Sequence, residues 1–271
     1  MNPKFYYKAL FLILVFIGIT VPFASISGQE KPVNTPDNDY LEMSVLYQQR
    51  AAEYRALCYQ AYNVAEYRLK EILEKTSAPE SLAVVVDIDE TVLDNSPYEA
   101  ELILENIDYP ERWTEWIEET KAKPIPGALD FLSYADSAGV QIFYVSNRKV
   151  STYSGTVENL NKWDFPQVKE DHIALRLEES SKESRRDRID KYYKIALLVG
   201  DNLNDFSHVF ENRSTHDRNT AVDLLQEEFG HRFIVMPNAM YGEWEGAIYD
   251  GDWSLTDAQK DSVRKKALRG F

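Results

Sequence analysis

Four short apolar runs, mostly β-branched, punctuate the chain at 82–86, 140–145, 195–199 and 233–236. None alternates with polar positions, so each reads as a strand buried on both faces, as in a parallel sheet. Between them, at about 127–138, 182–194 and 221–228, lie helical segments. The alternation predicts βαβ units and an α/β fold with a doubly wound, mostly parallel sheet. A longer helical pattern covers about 40–75, where Leu46, Leu57, Ala61, Val64, Ala65, Ile72 and Leu73 recur before Ser77, Ala78 and Pro79 end it. The stretch at 98–123 is helical and tryptophan-containing, and it falls between the first strand and its crossover. It is expected to be an inserted cap, with the helix at 40–76 as the other cap element. Thr256 and Gln259 form a capping box that opens a last helix.

The first residues have a different pattern. Lys4 and Lys8 precede an apolar run at 9–24, and the small residues Ser25, Ser27 and Gly28 follow. This predicts an export signal over 1–28, a Pro-containing linker over 29–39 and a folded domain over 40–271. The alternative is an uncleaved membrane anchor, but the run is short and Pro22 interrupts it. The chain is therefore expected to be exported, periplasmic or secreted, with no stable membrane span after cleavage. The sole cysteine, Cys58, lies within the 40–75 helix and reads as a buried small residue. No cysteine is available near the cleavage zone for lipid attachment.

Charge narrows the partners. There are 45 acidic and 30 basic residues, a net charge of −15. Such a surface repels nucleic-acid polymers, so an anionic substrate needs local positive charge from a metal or a few basic side chains. A homodimer is compatible with this composition.

In a doubly wound sheet, ligands bind beyond the carboxyl ends of the strands. The first run ends in Asp87-Ile88-Asp89-Glu90-Thr91, the second in Ser146-Asn147-Arg148 and the third in Gly200-Asp201-Asn202-Leu203-Asn204-Asp205. Crowded carboxylates resist joint ionisation, and a divalent cation relieves that repulsion. An oxygen-only set suits Mg2+, whereas the four histidines have no ligand-like spacing for zinc. Each piece alone has a plainer reading. Asp-x-Asp can be a solvated turn, Asp201 and Asp205 can charge a helix start, Ser146 can be an N-cap, and Lys182 can be a surface lysine. Arg185, Arg186 and Arg188 read as a solvated helix face. The order of the pieces, each after a buried strand, favours a single catalytic rim.

The stretch from Asp87 to Tyr98, Ser146-Asn147-Arg148, Ser181-Lys182-Glu183 and Gly200 to Phe206 together resemble the motifs of the haloacid dehalogenase (HAD) superfamily. More narrowly they resemble the class C acid phosphatases, the lipoprotein-type 5′-nucleotidase family, as does the stretch from Pro237 to Glu245. The resemblance runs from about residue 40 to the C-terminus and implies a HAD-like Rossmannoid core.

It also implies roles. Asp87 would be the nucleophile and form an aspartyl-phosphate. Asp89 would protonate the leaving oxygen and later deprotonate water. Mg2+ would sit on Asp87, the Asp89 backbone carbonyl, Asp201 and Asp205, while Lys182 and Ser146 hold phosphate oxygens. Thr91, Asn147, Arg148, Tyr98 and Tyr241 are expected to bind substrate, a small phosphomonoester such as a nucleoside monophosphate. Trp113, Trp116 and Trp244 are further aromatic candidates at the mouth. Trp113 and Trp116, three apart, would equally pack the cap. Two departures stand out: no lipid-modified cysteine follows the signal, and Glu178 and Glu179 precede the Ser-Lys motif. The rival readings are a phosphotransferase on the same scaffold and a non-catalytic surface or storage protein.

Overall fold

The computed structural model describes residues 38–271, so the expected signal and most of the linker lie outside the described residues. The elements in order are α1 (Glu42–Arg50), α2 (Ala52–Leu73), β1 (Leu82–Val86), β2 (Leu93–Asp94), α3 (Ser96–Glu105), α4 (Trp113–Glu118), β3 (Lys123–Pro124) and α5 (Ala128–Ser137). They continue with β4 (Gln141–Lys149), α6 (Tyr153–Lys162), β5 (Ile173–Arg176), α7 (Glu183–Asp190), β6 (Lys194–Gly200), α8 (Thr215–Leu224), β7 (Phe233–Val235), α9 (Glu243–Ile248) and α10 (Asp257–Ala267).

Five strands form one parallel sheet in the order β5-β4-β1-β6-β7. The chain fills one side of β1 with β4 and β5, then crosses to place β6 and β7 on the other. The switch point therefore lies between β1 and β6, where such sheets bind ligands. All five residues of β1 are buried. Leu82, Val84 and Val86 face a core built with α2, α5 and α6, while Ala83 and Val85 face a second core that includes Ile189 of α7 and Phe206. This explains the unbroken apolar run, since both faces of the strand are dry.

Several elements differ from expectation. The helix at 40–75 breaks at Ala51, whose backbone is extended (φ −77°, ψ 127°). The break separates two roles. α2 buries Tyr54, Cys58, Tyr62, Ala65 and Leu69 in the sheet core, so it is a layer of the domain rather than part of a cap. α1 packs on the insertion, against α3. The helix expected at 221–228 sits earlier, at α8, because Ser214 caps it by accepting from the Asp217 N–H. The second strand continues past its apolar run, so Ser146, Asn147 and Arg148 lie within β4 itself. Strand β5 and helix α6 were not foreseen. The Thr256–Gln259 capping box does open α10. No helix among the described residues is long and apolar enough to cross a membrane.

The insertion after β1 is tied down at both ends. β2 and β3 pair antiparallel, Leu93 with Pro124 and Asp94 with Lys123. Gly155 of α6 lets α4 close in, since a Cβ there would stand 2.8 Å from the Ile117 carbonyl oxygen.

Candidate active site

The ends of the adjacent strands β1 and β6 bring the expected acids together. Asp87 leaves β1 with its N–H bonded to Val199 O of β6 at 2.9 Å, which sets it beside the turn after that strand. That turn, Gly200 to Asp205, carries Asp201 and Asp205. The Asp205 carboxylate folds back to accept from Asn202 N at 3.0 Å. Only glycine fits at 200, because a Cβ there would come 2.3 Å from Asp205 Oδ2 and 2.5 Å from its Cβ. Carboxylate oxygens of Asp87, Asp201 and Asp205 lie within 4.8 Å of one another.

Lys182, at the start of α7, is buried with them. Its Nζ is paired with Asp87 and lies 2.6 Å from Asp205 Oδ1. One ammonium thus faces three carboxylates. The Asp87 carboxyl is raised to about 7, mainly by burial, with Lys182 opposing the rise and Asp205 and Asp89 adding to it. Asp201 is raised well above the carboxylate range by burial, then by Asp205 and Asp87. Burial works against the Lys182 ammonium, but Asp205 and Asp87 outweigh it and hold its pKa above the ordinary lysine value. Burial is the larger cause for both acids and crowded negative charge the next, and a divalent cation would relieve that crowding. The donors are all hard oxygens, with no histidine or cysteine in the group, so they fit such an ion.

Asp89 has the opposite surroundings. Its Oδ1 accepts from Asn95 Nδ2 at 2.7 Å and from Arg148 Nε at 2.9 Å, and its Oδ2 from Ser146 Oγ at 3.2 Å. Its carboxylate is not part of the three-acid group, which leaves its backbone carbonyl as the only contribution expected of it toward a metal.

Several side chains expected to contact substrate hold other partners in this structure. Arg148 is only 2% exposed and is spent on Asp89, Thr156 and Asn95. Tyr98 is buried in the insertion, where its hydroxyl donates to Glu111 O at 2.8 Å and its ring meets the edge of Trp113. Thr91 is fully buried; its hydroxyl donates to Asp201 Oδ1 at 3.3 Å, and its carbonyl accepts from Tyr62. All three side chains turn inward, Arg148 from β4, Tyr98 from α3 and Thr91 from the turn between β1 and β2. Asn147 remains exposed at the rim and accepts from Arg185. Tyr241 is partly buried and donates from its hydroxyl to Glu90 Oε1 at 3.1 Å.

Arg185 and Arg186 are not a solvated face. Arg185 braces the tip of β4 through Ser146 O at 2.6 Å, and Arg186 braces the acidic turn through Asp205 O at 2.8 Å. Only Arg188 is exposed. Two participants were missed. Glu90 is fully buried at φ 55° and accepts from Gln48, Asn95 N and Tyr241. Asn95 joins Asp89 to Trp116. The signal for both was their place inside an otherwise buried motif.

Comparisons with known proteins agree with this geometry. Residues 27–244 match the family model described as HAD superfamily, subfamily IIIB (acid phosphatase). The chain is 42% identical to the class C acid phosphatase from Bacillus anthracis, with a TM-score of 0.83 over 86% of this chain and 98% of that one. A tungstate-bound structure of the class C acid phosphatase from Bacillus anthracis matches at 41% identity and the same TM-score of 0.83, again over 86% and 98%. A phosphomonoesterase site on a HAD-like sheet follows from fold, acids and kinship together: the chain belongs to the subfamily IIIB acid phosphatases of the HAD superfamily.

Proposed function

We propose that this acid phosphatase is exported and hydrolyses nucleoside 5′-monophosphates with Mg2+, through an aspartyl-phosphate on Asp87. The observation that carries the reading is the split of the acids: Asp87, Asp201 and Asp205 share one buried group with Lys182, while Asp89 stands apart among donors.

In the first step an Asp87 carboxylate oxygen attacks phosphorus. The ester P–O bond breaks, and Asp89 gives its proton to the leaving oxygen. In the second step Asp89 takes a proton from water as that water attacks phosphorus, which frees Asp87 and releases phosphate. Lys182, Ser146 and Asn147 would hold the non-bridging oxygens, with the Ser146 hydroxyl exchanging Asp89 for phosphate. Asp87, Asp201, Asp205 and the Asp89 backbone carbonyl would hold Mg2+, which when bound supplies the charge that lets a carboxylate meet a phosphate dianion. The tungstate bound to the Bacillus anthracis relative, a tetrahedral oxyanion, supports an anion of this shape as ligand.

Tyr241 supports a nucleobase: an aromatic ring tied through Glu90 to the nucleophile loop offers a stacking face. Lys4, Lys8 and the apolar run at 9–24 support export.

The test is a phosphate-release screen over nucleotides, sugar phosphates and aryl phosphates, with Mg2+ or chelator, on wild type and Asp87→Asn. Nucleoside 5′-monophosphates should turn over fastest, and chelator should stop turnover. Asp87→Asn should lose a factor of roughly a thousand or more, about 4 kcal/mol of barrier. Chelator-insensitive turnover or full activity in Asp87→Asn would overturn the mechanism.

A further inference from the structure

The two cap tryptophans face the catalytic centre, yet neither reaches the acidic group. Trp116 Nε1 donates to Asn95 Oδ1 at 2.9 Å, and the Arg148 guanidinium lies 5.6 Å from the centre of the Trp113 ring. An indole N–H can only donate, so the atom of Asn95 that faces it is the amide oxygen. The amide nitrogen must then point the other way, and it donates to Asp89 Oδ1 at 2.7 Å. Arg148 reinforces the arrangement, with Nη2 2.8 Å from Asp89 Oδ1 and 3.4 Å from Asn95 Oδ1. Asn95 is fully buried, so bulk solvent does not compete for these partners. Its amide orientation is therefore set chiefly by Trp116 of α4, the shorter of the two donors to its oxygen, with Arg148 in support.

We propose that Trp116 and Asn95 are positioning residues for Asp89: helix α4 of the insertion aims the carboxyl group that protonates the leaving oxygen. The inference rests on the acid–base role given to Asp89 above. Neither residue touches the reacting atoms. They act on the step in which the P–O ester bond breaks, the Asp87–phosphorus bond forms and the Asp89 proton moves to the departing oxygen. A phenolate such as p-nitrophenolate leaves without that proton, whereas an alkoxide needs it. Loss of aim should therefore show as a dependence on the leaving group.

The experiment compares kcat/KM for p-nitrophenyl phosphate and for a simple alkyl phosphate in wild type, Trp116→Phe, Asn95→Ala and Asp89→Ala. kcat/KM reports on steps up to departure of the leaving group, so the later hydrolysis does not blur it. Trp116→Phe removes the donor and part of the ring but keeps an aromatic group in the packed position, which limits loss of the fold. We expect the aryl-to-alkyl ratio to rise about tenfold in Trp116→Phe and Asn95→Ala, and further in Asp89→Ala, within the hundredfold or larger contribution usual for a positioned acid. A selective loss in Asp89→Ala with unchanged ratios in Trp116→Phe and Asn95→Ala would overturn the positioning role alone. An unchanged ratio in Asp89→Ala would overturn the acid role of Asp89, and this inference with it.

Discussion

Asp87 and Asp89 leave the same strand two residues apart and meet opposite surroundings. Asp87 enters a buried crowd of acids with one ammonium among them, and its carboxyl is pushed up by burial and by Asp205 and Asp89 against the pull of Lys182. Asp89 enters a ring of donors, Asn95, Ser146 and Arg148, and keeps 18% of its side chain exposed. Strand alternation alone would send both side chains to one face. The difference arises because β1 ends at Val86 and the loop beyond it is pinned by other elements, Asp87 N to β6 and Asn95 to α4 through Trp116. On one side three carboxylates outnumber a single ammonium, which suits a further cation and a covalent bond; on the other, surrounding donors fix the direction of one carboxyl group.

The largest break in this contrast comes from Lys182→Ala. It leaves three crowded carboxylates with no protein cation, and removing one partner of a buried ion pair costs about 3–5 kcal/mol. Activity should fall steeply. Thermal denaturation should show Tm rising more steeply with added Mg2+ in Lys182→Ala than in wild type, since an ion that binds only the folded state stabilises it. An identical response in both proteins would mean that the acids do not share a cation with Lys182.

A third buried carboxyl, Glu99 of α3, shows the consequence of having neither arrangement. Burial and then the nearby Glu245 push it up to about 7, above the usual value near 4.5. Its folded-state pKa is raised, so the folded protein binds the extra proton between those values and stability falls as pH rises through that window. Glu99→Gln removes the penalty. The variant should match wild type near pH 4 and exceed it at pH 8 by on the order of 3 kcal/mol, an upper figure read from denaturant midpoints. A constant difference across pH would show that Glu99 is not the titrating group.

The strands were legible because burial on both faces writes an unbroken apolar run, as Leu82 to Val86 does. Acids after β1 and β6 were legible for the same reason, since the run marks where a strand ends. β5 was not, because its four residues alternate between buried and partly buried and carry no such run. The arginines of α7 were misjudged because a polar helix face is solvated by default; only the tertiary fold reveals the carbonyl oxygens of Ser146 and Asp205 waiting beneath Arg185 and Arg186. The resemblance implies substrate roles for Arg148 and Tyr98, whereas in the structure both side chains are engaged with other partners. Within a β-strand, consecutive side chains point apart. Asn147 faces the rim while Ser146 and Arg148 turn to Asp89.

Gly200→Ala acts on the acidic side alone. Its methyl group must displace the stem of Asp205, which Lys182 and Asn202 N hold in place. Overpacking of this kind costs about 1–3 kcal/mol. The shift of Asp205 should also weaken the stabilisation by Mg2+. Because Asp89 and its donors are untouched, aryl and alkyl phosphates should lose kcat/KM in equal proportion. A changed ratio would mean that the two sides of the site are mechanically linked.

The smallest effect separates the ring of Tyr241 from its hydroxyl. The hydroxyl is one of three donors to Glu90, with Gln48 and Asn95 N, so Tyr241→Phe leaves two and should cost no more than about 1 kcal/mol, with KM for a nucleotide changed little. Tyr241→Ala removes the stacking face. Base–aromatic stacking contributes about 1–3 kcal/mol, so KM for a nucleoside monophosphate should rise roughly fivefold or more while KM for a small alkyl phosphate stays nearly constant. If KM rises equally for both in Tyr241→Ala, the ring serves the packing of Leu41, Val45 and Met240 beside it and not the base. If Tyr241→Phe is as damaging as Tyr241→Ala, the hydroxyl bond that steadies the Glu90 loop is what matters, and nucleotide preference must come from another residue.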